Sequence, residues 1–351
     1  MSRTITVSAS GRYDILIQSG CLDFCGTRMR TLFSASRTAV IADSRVAALY
    51  LDRVCASLRN ADFDPVCFVF PEGEWSKTLE TWATLQSFLA KNRLTRSDPL
   101  VALGGGVTGD LTGFAGATYL RGVPFVQIPT SLLAMVDSSV GGKTGVDLPE
   151  GKNLTGAFWQ PSLVLIDPDV LRTLSADQFS DGSAEVIKYG MIFDRNLFDR
   201  LQNGFPQDAV EEIIGTCVDW KRQVVEEDEF DNARRQLLNY GHTVGHAVEL
   251  LSNFSLSHGQ SVAIGMSVVA TAADRLCLSE SPCADLLRQT LSAHSLPTVC
   301  PYDAASLLQV MLRDKKVRGN HIQLVIPSAI GACRLYPTPV DTLLTFLEAG
   351  L

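Results

Sequence analysis

The sequence lacks several features that mark particular classes of protein. It contains no run of about eighteen apolar residues, so we predict no membrane span. No basic N-terminal segment precedes an apolar run, so we predict no signal peptide. Its nine cysteines include no CxxC pair, which favours reduced, buried thiols. Acidic residues outnumber basic ones, and a net charge of -8 argues against a nucleic-acid partner. We therefore expect a cytoplasmic protein without a membrane or nucleic-acid partner.

The chain does contain enough apolar sequence for two hydrophobic cores. It has 351 residues, of which 46% are hydrophobic and 19% charged, and chains of this length usually divide into two domains. We predict one domain over residues 1–170 and a second over residues 171–351. The negative net charge still permits an anionic small substrate, because a local basic pocket can outweigh a distant acidic surface.

Strands and helices alternate in the N-terminal half. Thr38–Asp43, Asp64–Phe70 and Leu163–Pro168 read as buried strands, and helical segments follow the first two. This alternation predicts a parallel α/β fold. Asp43 closes an early strand, where an acid either meets a ribose hydroxyl or caps the next helix.

A glycine-rich turn follows the short strand LVAL. Gly104, Gly106 and Gly109 satisfy the GxGxxG pattern, and such glycines let the backbone approach a pyrophosphate where a helix begins. The acid that usually follows about twenty residues later is missing, since Gly122–Ile128 contains none. From these residues alone, nucleotide binding and a structural glycine turn are both open.

Charged and amide side chains follow in a second glycine-rich stretch. Asp137, Lys143, Lys152 and Asn153 are spaced as in loops rather than along one helix face, so we expect them to line a cleft. A single lysine here would be an ordinary surface residue. Two lysines beside GG and GKN favour an anion pocket.

The C-terminal half has the pattern of amphipathic and buried helices. Glu185 and Lys188 stand three residues apart on one of them. They are either an ordinary surface ion pair or, given their apolar flanks, a buried one. The acidic run Glu226–Asp231 reads as a solvated face, Asp231 excepted. A basic DKK turn before a predicted hairpin lies near the C-terminus.

Three of the five histidines lie within Asn239–Gly259. His242 and His246 are four apart and would project from one helix face, while His258 could fold back onto that face after a loop. Each alone could cap or pack, but three together favour a metal or acid/base site. Two histidines and a carboxylate form a recurring zinc site, which Glu185, His242 and His258 would supply, although spacing alone does not bring Glu185 to the histidines.

Together these motifs resemble the 3-dehydroquinate synthases of the sugar phosphate cyclase superfamily, over nearly the whole chain. The motifs are GGGVTGD, YLRGVPFVQIPTSLLAMVDSSVGGKTGVDLPEGKN, AEVIKYG and LNYGHTVGHAVE. The resemblance implies an N-terminal Rossmann-like, NAD-binding α/β domain and a mostly α-helical, metal-binding C-terminal domain. It also implies conversion of the sugar phosphate 3-deoxy-D-arabino-heptulosonate 7-phosphate to 3-dehydroquinate and phosphate, a carbon–oxygen lyase reaction of the shikimate pathway.

The resemblance implies a role for each matching residue. The ligands of Zn2+ or Co2+ would be Glu185, His242 and His258, with His246 as the acid/base group. Arg121 of YLRG would bind the substrate phosphate from the other subunit of a homodimer. Further substrate contacts would be Asp137, Lys143, Asn153, Lys188, Lys221, Arg235, Asn239 and, in the DKK turn, Lys316 or its neighbour Lys315. The NAD contacts would be Asp43, Glu74, Lys77, Gly105, Gly106, Val107, Asp110, Thr130, Ser131, Lys152 and Thr173.

One segment departs from the family pattern. Where the family usually has DERExGxR, this chain has DEFDNARR at Asp228–Arg235, so Asp231 replaces a Glu and its catalytic role is open. The alternatives are another cyclase, including one with an aminated substrate, a metal-dependent polyol dehydrogenase, or an NAD-binding regulatory protein with a decayed site. The last is disfavoured because every expected ligand and lysine is present.

Overall fold

The protein divides into two compact units. A computed structural model describes residues 2–312, 317–318 and 320–351. The first unit comprises the chain up to Leu174 together with Lys221–Phe230, and the second comprises Ser175–Trp220 and the chain from Asp231 onward. The predicted assignment of the NAD-binding domain to residues 1–170 and of the metal-binding domain to residues 171–351 stays a prediction. None of the described helices is both long enough and apolar enough to cross a membrane.

A seven-stranded sheet organises the first unit. Across the sheet its strands are β1 (Arg3–Ser8), β2 (Arg12–Ile17), β9 (Leu163–Ile166), β6 (Phe125–Pro129), β5 (Leu100–Gly104), β3 (Arg37–Asp43) and β4 (Asp64–Phe70). Only β1 runs antiparallel to its neighbour among these described strands, and the remaining pairs are parallel. Two further strands, β7 (Lys143–Leu148) and β8 (Gly151–Phe158), form a separate antiparallel hairpin. The predicted parallel α/β fold is confirmed.

Helices connect these strands and cover the sheet. They are α1 (Cys25–Arg30), α2 (Ser44–Val46), α3 (Asp52–Asn60), α4 (Leu79–Lys91) and α5 (Gly106–Thr118). Short 3-10 helices are Cys21–Phe24, Glu74–Ser76, Tyr119–Arg121 and Pro168–Thr173, and π-helical turns are Ala47–Leu51 and Ala134–Ser138. The core between sheet and helices includes Ile41, Leu85 and Phe125, all fully buried. Burial of one such side chain stabilises the fold by about 1.5–3 kcal/mol.

The strand order places a switch point between β3 and β5. From β3 the chain continues to β4 at one edge, then returns past β3 to β5 and goes on to β6. Asp43 ends β3 and Gly104 ends β5. Doubly wound sheets bind ligands outside the carboxyl ends of the strands at such a point. The two motifs predicted to contact NAD therefore lie at one edge of the sheet.

The second unit is mostly helical, as predicted. Its helices are α6 (Ala176–Ile192), α7 (Arg195–Leu201), α8 (Val210–Glu227), α9 (His242–Leu251), α10 (His258–Arg275), α11 (Ala284–Ala293), α12 (Ala304–Met311) and α13 (Val340–Gly350), with 3-10 helices at Gln207–Ala209 and Arg234–Asn239. The end of α8, from Lys221, belongs to the first unit. Strands β10 (Val317–Arg318), β11 (His321–Ala329) and β12 (Ala332–Pro339) form an antiparallel sheet, which includes the predicted hairpin.

Helix α10 is the buried centre of this unit. Every residue from Ser261 to Ala273 is buried, and the helix packs against α6, α9, α11 and α13. Gly265 permits the closest approach, since a Cβ there would lie 2.0 Å from the carbonyl oxygen of Gly241. Because α9 and α10 pack so closely, the loop between them returns His258 toward the face of α9 that carries the other histidines.

Candidate functional site

One carboxylate and two imidazoles converge in the second unit. Glu185 lies on α6, His242 begins α9 and His258 begins α10. One ligand atom from each lies within 4.8 Å of the others. Glu185 Oε1 is 3.5 Å from His242 Nε2 and 3.6 Å from His258 Nε2. The packing of the helices therefore brings Glu185 to the two histidines, which its position in the sequence did not reveal.

This donor set fits Zn2+ or Co2+. Both cations accept imidazole nitrogen and carboxylate oxygen, and three protein ligands leave a position open for substrate. His242 Nδ1 lies 3.2 Å from the carbonyl oxygen of Tyr240. Because a carbonyl only accepts, this bond places the proton on Nδ1 and leaves the Nε2 lone pair directed at Glu185. The geometry therefore supports the predicted ligand trio, whose role stays a prediction.

The charge of Glu185 also acts on His258. Burial lowers the pKa of His258, but the hydrogen bond and negative charge of Glu185, with smaller effects from Glu249 and Asp181, outweigh burial and raise that pKa above its ordinary value. A proton and a metal ion compete for the same ring nitrogen. Metal binding at this site is therefore expected to release a proton.

His246 lies beside the trio. Its ring centroid is 5.5 Å from that of His242 and 6.3 Å from that of His258. With His258 and the buried Glu249 it forms a second group whose ligand atoms lie within 4.8 Å of one another. Glu249 was not predicted from the sequence, although a spacing of three places it on the same helix face as His246. A carboxylate near His246 suits an acid/base role.

Two cations of the predicted site are buried in the second unit. Lys188 forms an ion pair with Glu185, and both side chains are 1% exposed, so the surface ion pair considered above is wrong. Arg235 is also 1% exposed and heads the largest fully buried side chains. Asn239 ends the same 3-10 helix, Arg234–Asn239. Buried cations are stabilised by anionic partners, which suits residues expected to bind a sugar phosphate.

In the first unit, Lys221 and Asp137 form a half-buried ion pair. The Lys221 ammonium donates to Asp137 Oδ1 at 2.7 Å, and Lys221 itself is buried. Two residues far apart in sequence are thus joined at one place. Asp137 also lies in the π-helical turn Ala134–Ser138 rather than in a loop.

The other three residues predicted to lie in loops are in the β7–β8 hairpin. Lys143 begins β7, while Lys152 and Asn153 lie in β8. The loop prediction was wrong because ladder hydrogen bonds continue through the glycines, which fit where the strands approach closely. A Cβ on Gly156, for example, would lie 2.1 Å from the Thr144 carbonyl oxygen. Lys143 and Asn153 are exposed.

Lys77 is the centre of a charge cluster in the first unit. Its ammonium lies 2.7 Å from Glu74 Oε1, 3.4 Å from Asp110 Oδ2 and 3.7 Å from Asp147 Oδ1. Burial lowers the pKa of Lys77, but these carboxylates outweigh burial and raise it. Burial raises the pKa of Asp110 to about 6 against the opposing charge of Lys77. Lys152 joins the cluster at 3.9 Å from Glu74, so four predicted NAD contacts come together.

Asp147 was missing from the predicted site. It lies within the GGKTGVDLPEGKN part of the second family motif, but its strand position is what brings it to Lys77, whose carbonyl oxygen accepts the Asp147 N–H at 2.8 Å. Its Oδ1 also accepts the Asn153 N–H at 2.8 Å. The motif marked this segment of the chain, but nothing in it singled out Asp147 as a partner of Lys77.

The glycine-rich turn fits a pyrophosphate. Gly105 is the N-cap of α5, and no side chain in the described part of the chain caps that helix, so its first N–H groups are available to an anion. A Cβ on Gly105 would meet only the Ser131 hydroxyl, at 3.4 Å, and one on Gly106 the Ser138 hydroxyl, at 3.2 Å. Val107 and Asp110 continue the first turns of α5, and Thr130 and Ser131 follow β6.

Asp43 and Thr173 already have partners within the first unit. Asp43 Oδ1 accepts the N–H groups of Arg45 and Val46, each at 3.0 Å, as in the helix-cap interpretation. The Thr173 hydroxyl lies 2.5 Å from the Tyr50 hydroxyl. Contacts of either residue with NAD stay predictions.

For Arg121 and Lys316, the structure shows no contact with the other predicted site residues that it describes. Arg121 is exposed and has a φ of 69°, and Leu120 before it has a φ of 50°, a left-handed conformation that is unfavourable for both. Lys316, like Lys315, lies outside the described residues.

Family models match most of the chain. The model described as 3-dehydroquinate synthase N-terminal matches residues 67–181, and the one described as 3-dehydroquinate synthase C-terminal matches residues 182–317. The 3-dehydroquinate synthase of Streptococcus sanguinis (strain SK36) is 45% identical over 343 residues, which cover 96% of this chain and 97% of that protein.

Solved structures of sugar phosphate cyclases share the fold. A structure of 2-deoxy-scyllo-inosose synthase with carbaglucose-6-phosphate, NAD+ and Co2+ has a TM-score of 0.88 at 24% identity, covering 99% of this chain and 100% of that one. The 2-epi-5-epi-valiolone synthase of Streptomyces hygroscopicus subsp. jinggangensis 5008, with NAD+ and Zn2+ bound, has a TM-score of 0.87 at 26% identity and covers 98% and 99% of the two chains.

Proposed function

Since the chain belongs to the 3-dehydroquinate synthase family, we propose that it converts 3-deoxy-D-arabino-heptulosonate 7-phosphate to 3-dehydroquinate and phosphate. The enzyme would be a carbon–oxygen lyase that depends on NAD and a divalent metal, and it would act as a cytoplasmic homodimer. The observation that carries the proposal is the convergence of Glu185, His242 and His258. Such a trio suits a substrate whose neighbouring hydroxyls must be polarised.

NAD and the metal would supply the redox and Lewis-acid chemistry. When bound, NAD would accept a hydride from the substrate and later return it, and Zn2+ or Co2+ would lower the cost of the negative charge on the substrate oxygens. The Gly105–Gly106 turn and the Lys77 cluster would hold the dinucleotide, and Glu185, His242 and His258 would hold the metal. The NAD+ and Zn2+ of the valiolone synthase structure support this assignment.

His246 would handle protons. An imidazole changes protonation state near neutral pH, so it can take a proton from a substrate oxygen and return one later in the same turnover. The nearby Glu249 would stabilise the protonated ring. His246 would thereby serve the steps that open the sugar ring and close the carbocycle by an intramolecular aldol reaction.

The cations would bind the phosphate and balance its charge as it leaves. Lys188, Lys221 and Arg235 are buried, so their charges are weakly screened and attract an anion strongly. Arg121 of the partner subunit would add a guanidinium with bidentate geometry. Loss of phosphate then requires little reorganisation, because the compensating charges are already in place.

The remaining predicted contacts would orient the substrate. Donors for the hydroxyl and carboxylate groups of the substrate would come from Lys143, Asn153, Asn239 and Lys316. The Asp137 carboxylate, held by Lys221, would accept a hydrogen bond from a substrate hydroxyl. A reaction with several successive steps on one molecule depends on orientation above all.

Phosphate release tests the proposal. Purified protein would be given the heptulosonate phosphate, catalytic amounts of NAD and a divalent metal, while phosphate and NADH absorbance are recorded together. We expect phosphate release without net NADH, loss of activity with a chelator, and recovery on addition of Zn2+ or Co2+. His246→Gln, which keeps the size of the side chain but cannot shuttle a proton, should bind metal normally and turn over at least about 100-fold more slowly.

Other outcomes would contradict the proposal. Steady accumulation of NADH would indicate a polyol dehydrogenase, because a dehydrogenase consumes NAD stoichiometrically. Turnover of an aminated heptulosonate phosphate, with none of the parent compound, would assign the protein to a different substrate. Activity that survives complete removal of metal would remove the trio from the mechanism.

A further inference from the structure

We propose that Asp181 is a positioning residue for the metal site, which holds the N-terminus of α10 against α6 and thereby places His258 beside Glu185. The inference rests on the proposed role of the trio as metal ligands. Asp181 precedes Glu185 by four residues on α6, so both side chains lie on the same face of one helix. One helix therefore carries a ligand and, one turn earlier, the contact that locates another ligand.

A single carboxylate oxygen of Asp181 gathers three donors from the start of α10. Oδ1 accepts the N–H of Gly259 at 2.6 Å and the N–H of Gln260 at 3.2 Å. The Ser257 hydroxyl donates to the same oxygen. These donors flank His258 on both sides in the sequence. The position of the His258 backbone is therefore set by Asp181.

The start of α10 does not need Asp181 merely to form. Ser257 and Gln260 make a complete capping box, in which Ser257 Oγ accepts the Gln260 N–H at 3.4 Å and Gln260 Oε1 accepts the Ser257 N–H at 3.0 Å. A helix with its own cap has its first N–H groups largely satisfied. What Asp181 adds is a bond to a second helix, so its effect is on placement.

Close packing at Gly259 reinforces this placement. A Cβ at position 259 would lie 2.1 Å from the carbonyl oxygen of Asp181, so only glycine lets the two backbones approach as they do. The Asp181 contact and the Glu185–His258 pair, at 3.6 Å, are thus one helical turn apart along α6. A shift of α10 at Asp181 would move His258 away from Glu185 by a similar distance.

Metal affinity is the measurement that tests this role. Zn2+ dissociation constants would be determined by competition with a chromogenic chelator for wild-type protein, Asp181→Ala and Asp181→Asn, and the Co2+ spectrum would report ligand geometry. Residues that orient metal ligands typically change affinity by about 10–100-fold. We expect that loss for Asp181→Ala, an intermediate loss for Asp181→Asn, and near-normal turnover once metal is saturating.

Asp303→Ala is the matched control. Asp303 is the N-cap of α12, a helix without a predicted ligand, and accepts the Ser306 N–H at 2.7 Å. The substitution removes an aspartate that also accepts a backbone N–H at the start of a helix, and it should leave Zn2+ affinity unchanged. The proposal is overturned if Asp181→Ala binds Zn2+ with wild-type affinity and spectrum, or if Asp303→Ala weakens binding equally. Should Asp181→Ala not fold, Asp181→Asn decides by the same comparison.

Failure of the proposed function would look different. If wild-type protein binds no stoichiometric Zn2+, or if His258→Ala keeps wild-type affinity, then the metal trio itself is wrong. If those two results are as expected and Asp181→Ala binds normally, only the role of Asp181 fails.

A second inference rests on an independent observation, the pair of thiols formed by Cys55 and Cys67. Cys55 lies on α3 and is buried, whereas Cys67 lies on β4 and is exposed. Their sulfur atoms are 3.4 Å apart. Hydrogen bonding by the Cys55 thiol lowers the pKa of Cys67 to about 7, which favours its reactive thiolate at neutral pH. The expectation that the cysteines are buried is wrong for Cys67 and for Cys277.

We infer that Cys55 and Cys67 form a reversible disulfide when the protein meets a peroxide. The Cys67 thiolate would attack a peroxide oxygen and break the O–O bond, giving a sulfenic acid and, for hydrogen peroxide, hydroxide. The Cys55 thiol would then attack the Cys67 sulfur and displace water. Two thiols are oxidised by two electrons in total, and one hydrogen peroxide is reduced to two waters.

Peptide mass mapping after hydrogen peroxide treatment tests this inference. We expect a linked Cys55–Cys67 peptide that dithiothreitol separates and that Cys67→Ser abolishes. Cys277 is the control, since it is exposed and has no sulfur partner among the described residues; Cys277→Ser should leave the linkage unchanged. Oxidation of Cys277 at an equal or faster rate, or sulfinic acid at Cys67 without a linked peptide, would overturn the proposal.

Discussion

Glu185 shows how much one residue decides at this site. Its carboxylate lies within 3.6 Å of two histidine rings and pairs with the Lys188 ammonium, although its side chain is 1% exposed. A carboxylate in such a position would be destabilised by burial without these partners. A bound divalent cation would stabilise this carboxylate more strongly than any of these partners. The site therefore has an electrostatic reason to bind metal.

His258→Ala tests the ligand trio at the scale of one residue. The variant should fold but bind Zn2+ at least about 100-fold more weakly, since a lost ligand outweighs the loss of an orienting residue, and turnover should fall in parallel. Equilibrium dialysis with metal analysis checks this. His321→Ala is the control, because His321 is exposed on β11 and should keep full occupancy. Stoichiometric metal in His258→Ala would remove that residue from the site.

Asp110 makes a prediction about pH. Burial raises the pKa of its carboxyl to about 6 in the folded protein, whereas an unfolded chain has a value of about 3.9. Between these values the folded state binds more protons, so this group makes the free energy of unfolding fall as pH rises from about 4 to about 6, and the loss persists at higher pH.

Asp110→Asn should therefore stabilise the NAD-free protein by about 1–3 kcal/mol at pH 8, with a difference that shrinks toward pH 4. Urea unfolding across this pH range measures the effect. Asp285→Asn serves as control, because the Asp285 side chain is 94% exposed and the variant should retain the wild-type pH dependence. A difference between Asp110→Asn and wild type that is constant with pH would contradict the assignment.

At the scale of elements, the contact between α9 and α10 sets the histidine geometry. The two helices touch through glycines, with the backbone of Gly241 and Gly245 against that of α10. Helices that pack on glycine approach more closely than helices that pack on larger side chains. This close contact lets a short loop bring His258 back to His242 and His246.

Gly265→Ala tests that contact. A Cβ at position 265 would lie 2.0 Å from the Gly241 carbonyl oxygen, with no flexible side chain to yield. We expect a loss of about 2–4 kcal/mol in the free energy of unfolding, measured by urea titration, together with weaker Zn2+ binding. Gly11→Ala is the control, since its Cβ would make an ordinary 3.4 Å contact with Gln160. Wild-type stability of Gly265→Ala would show that the helices can separate at no cost.

At the scale of the whole molecule, each compact unit carries its own part of the chemistry. The first holds the glycine turn and the Lys77 cluster, and the second holds the metal trio and His246. Arg121, exposed in the first unit, is proposed to act in the partner subunit of a homodimer. The expected assembly can therefore be tested by mixing subunits.

Arg121→Ala and His258→Ala should each be nearly inactive alone but recover activity together. In a heterodimer, the subunit with an intact His258 would receive Arg121 from its partner, so one complete site forms. Random mixing of equal amounts makes about half the dimers mixed, which predicts about a quarter of wild-type phosphate release. Mixing Arg121→Ala with a protein that carries both substitutions should restore nothing. Recovery in that control, or none in the first mixture, would contradict a shared site.

The sequence alone determined the local elements of this protein. Alternating strands and helices predicted the parallel sheet, and the predicted strand Asp64–Phe70 matches β4 residue for residue. The spacing of His242 and His246 predicted their common helix face. These successes depend on periodicity and on residues close in sequence, where side-chain direction follows from the backbone repeat.

Only the tertiary structure decided which distant side chains meet. It brought Glu185 to the histidines, Lys221 to Asp137 and Asp147 to Lys77, and it revealed Asp181 at the start of α10. It also replaced the predicted loops with the β7–β8 hairpin. No local pattern encodes such contacts, because they arise from how whole helices and strands pack, and a buried charge is stable only where packing delivers its partner.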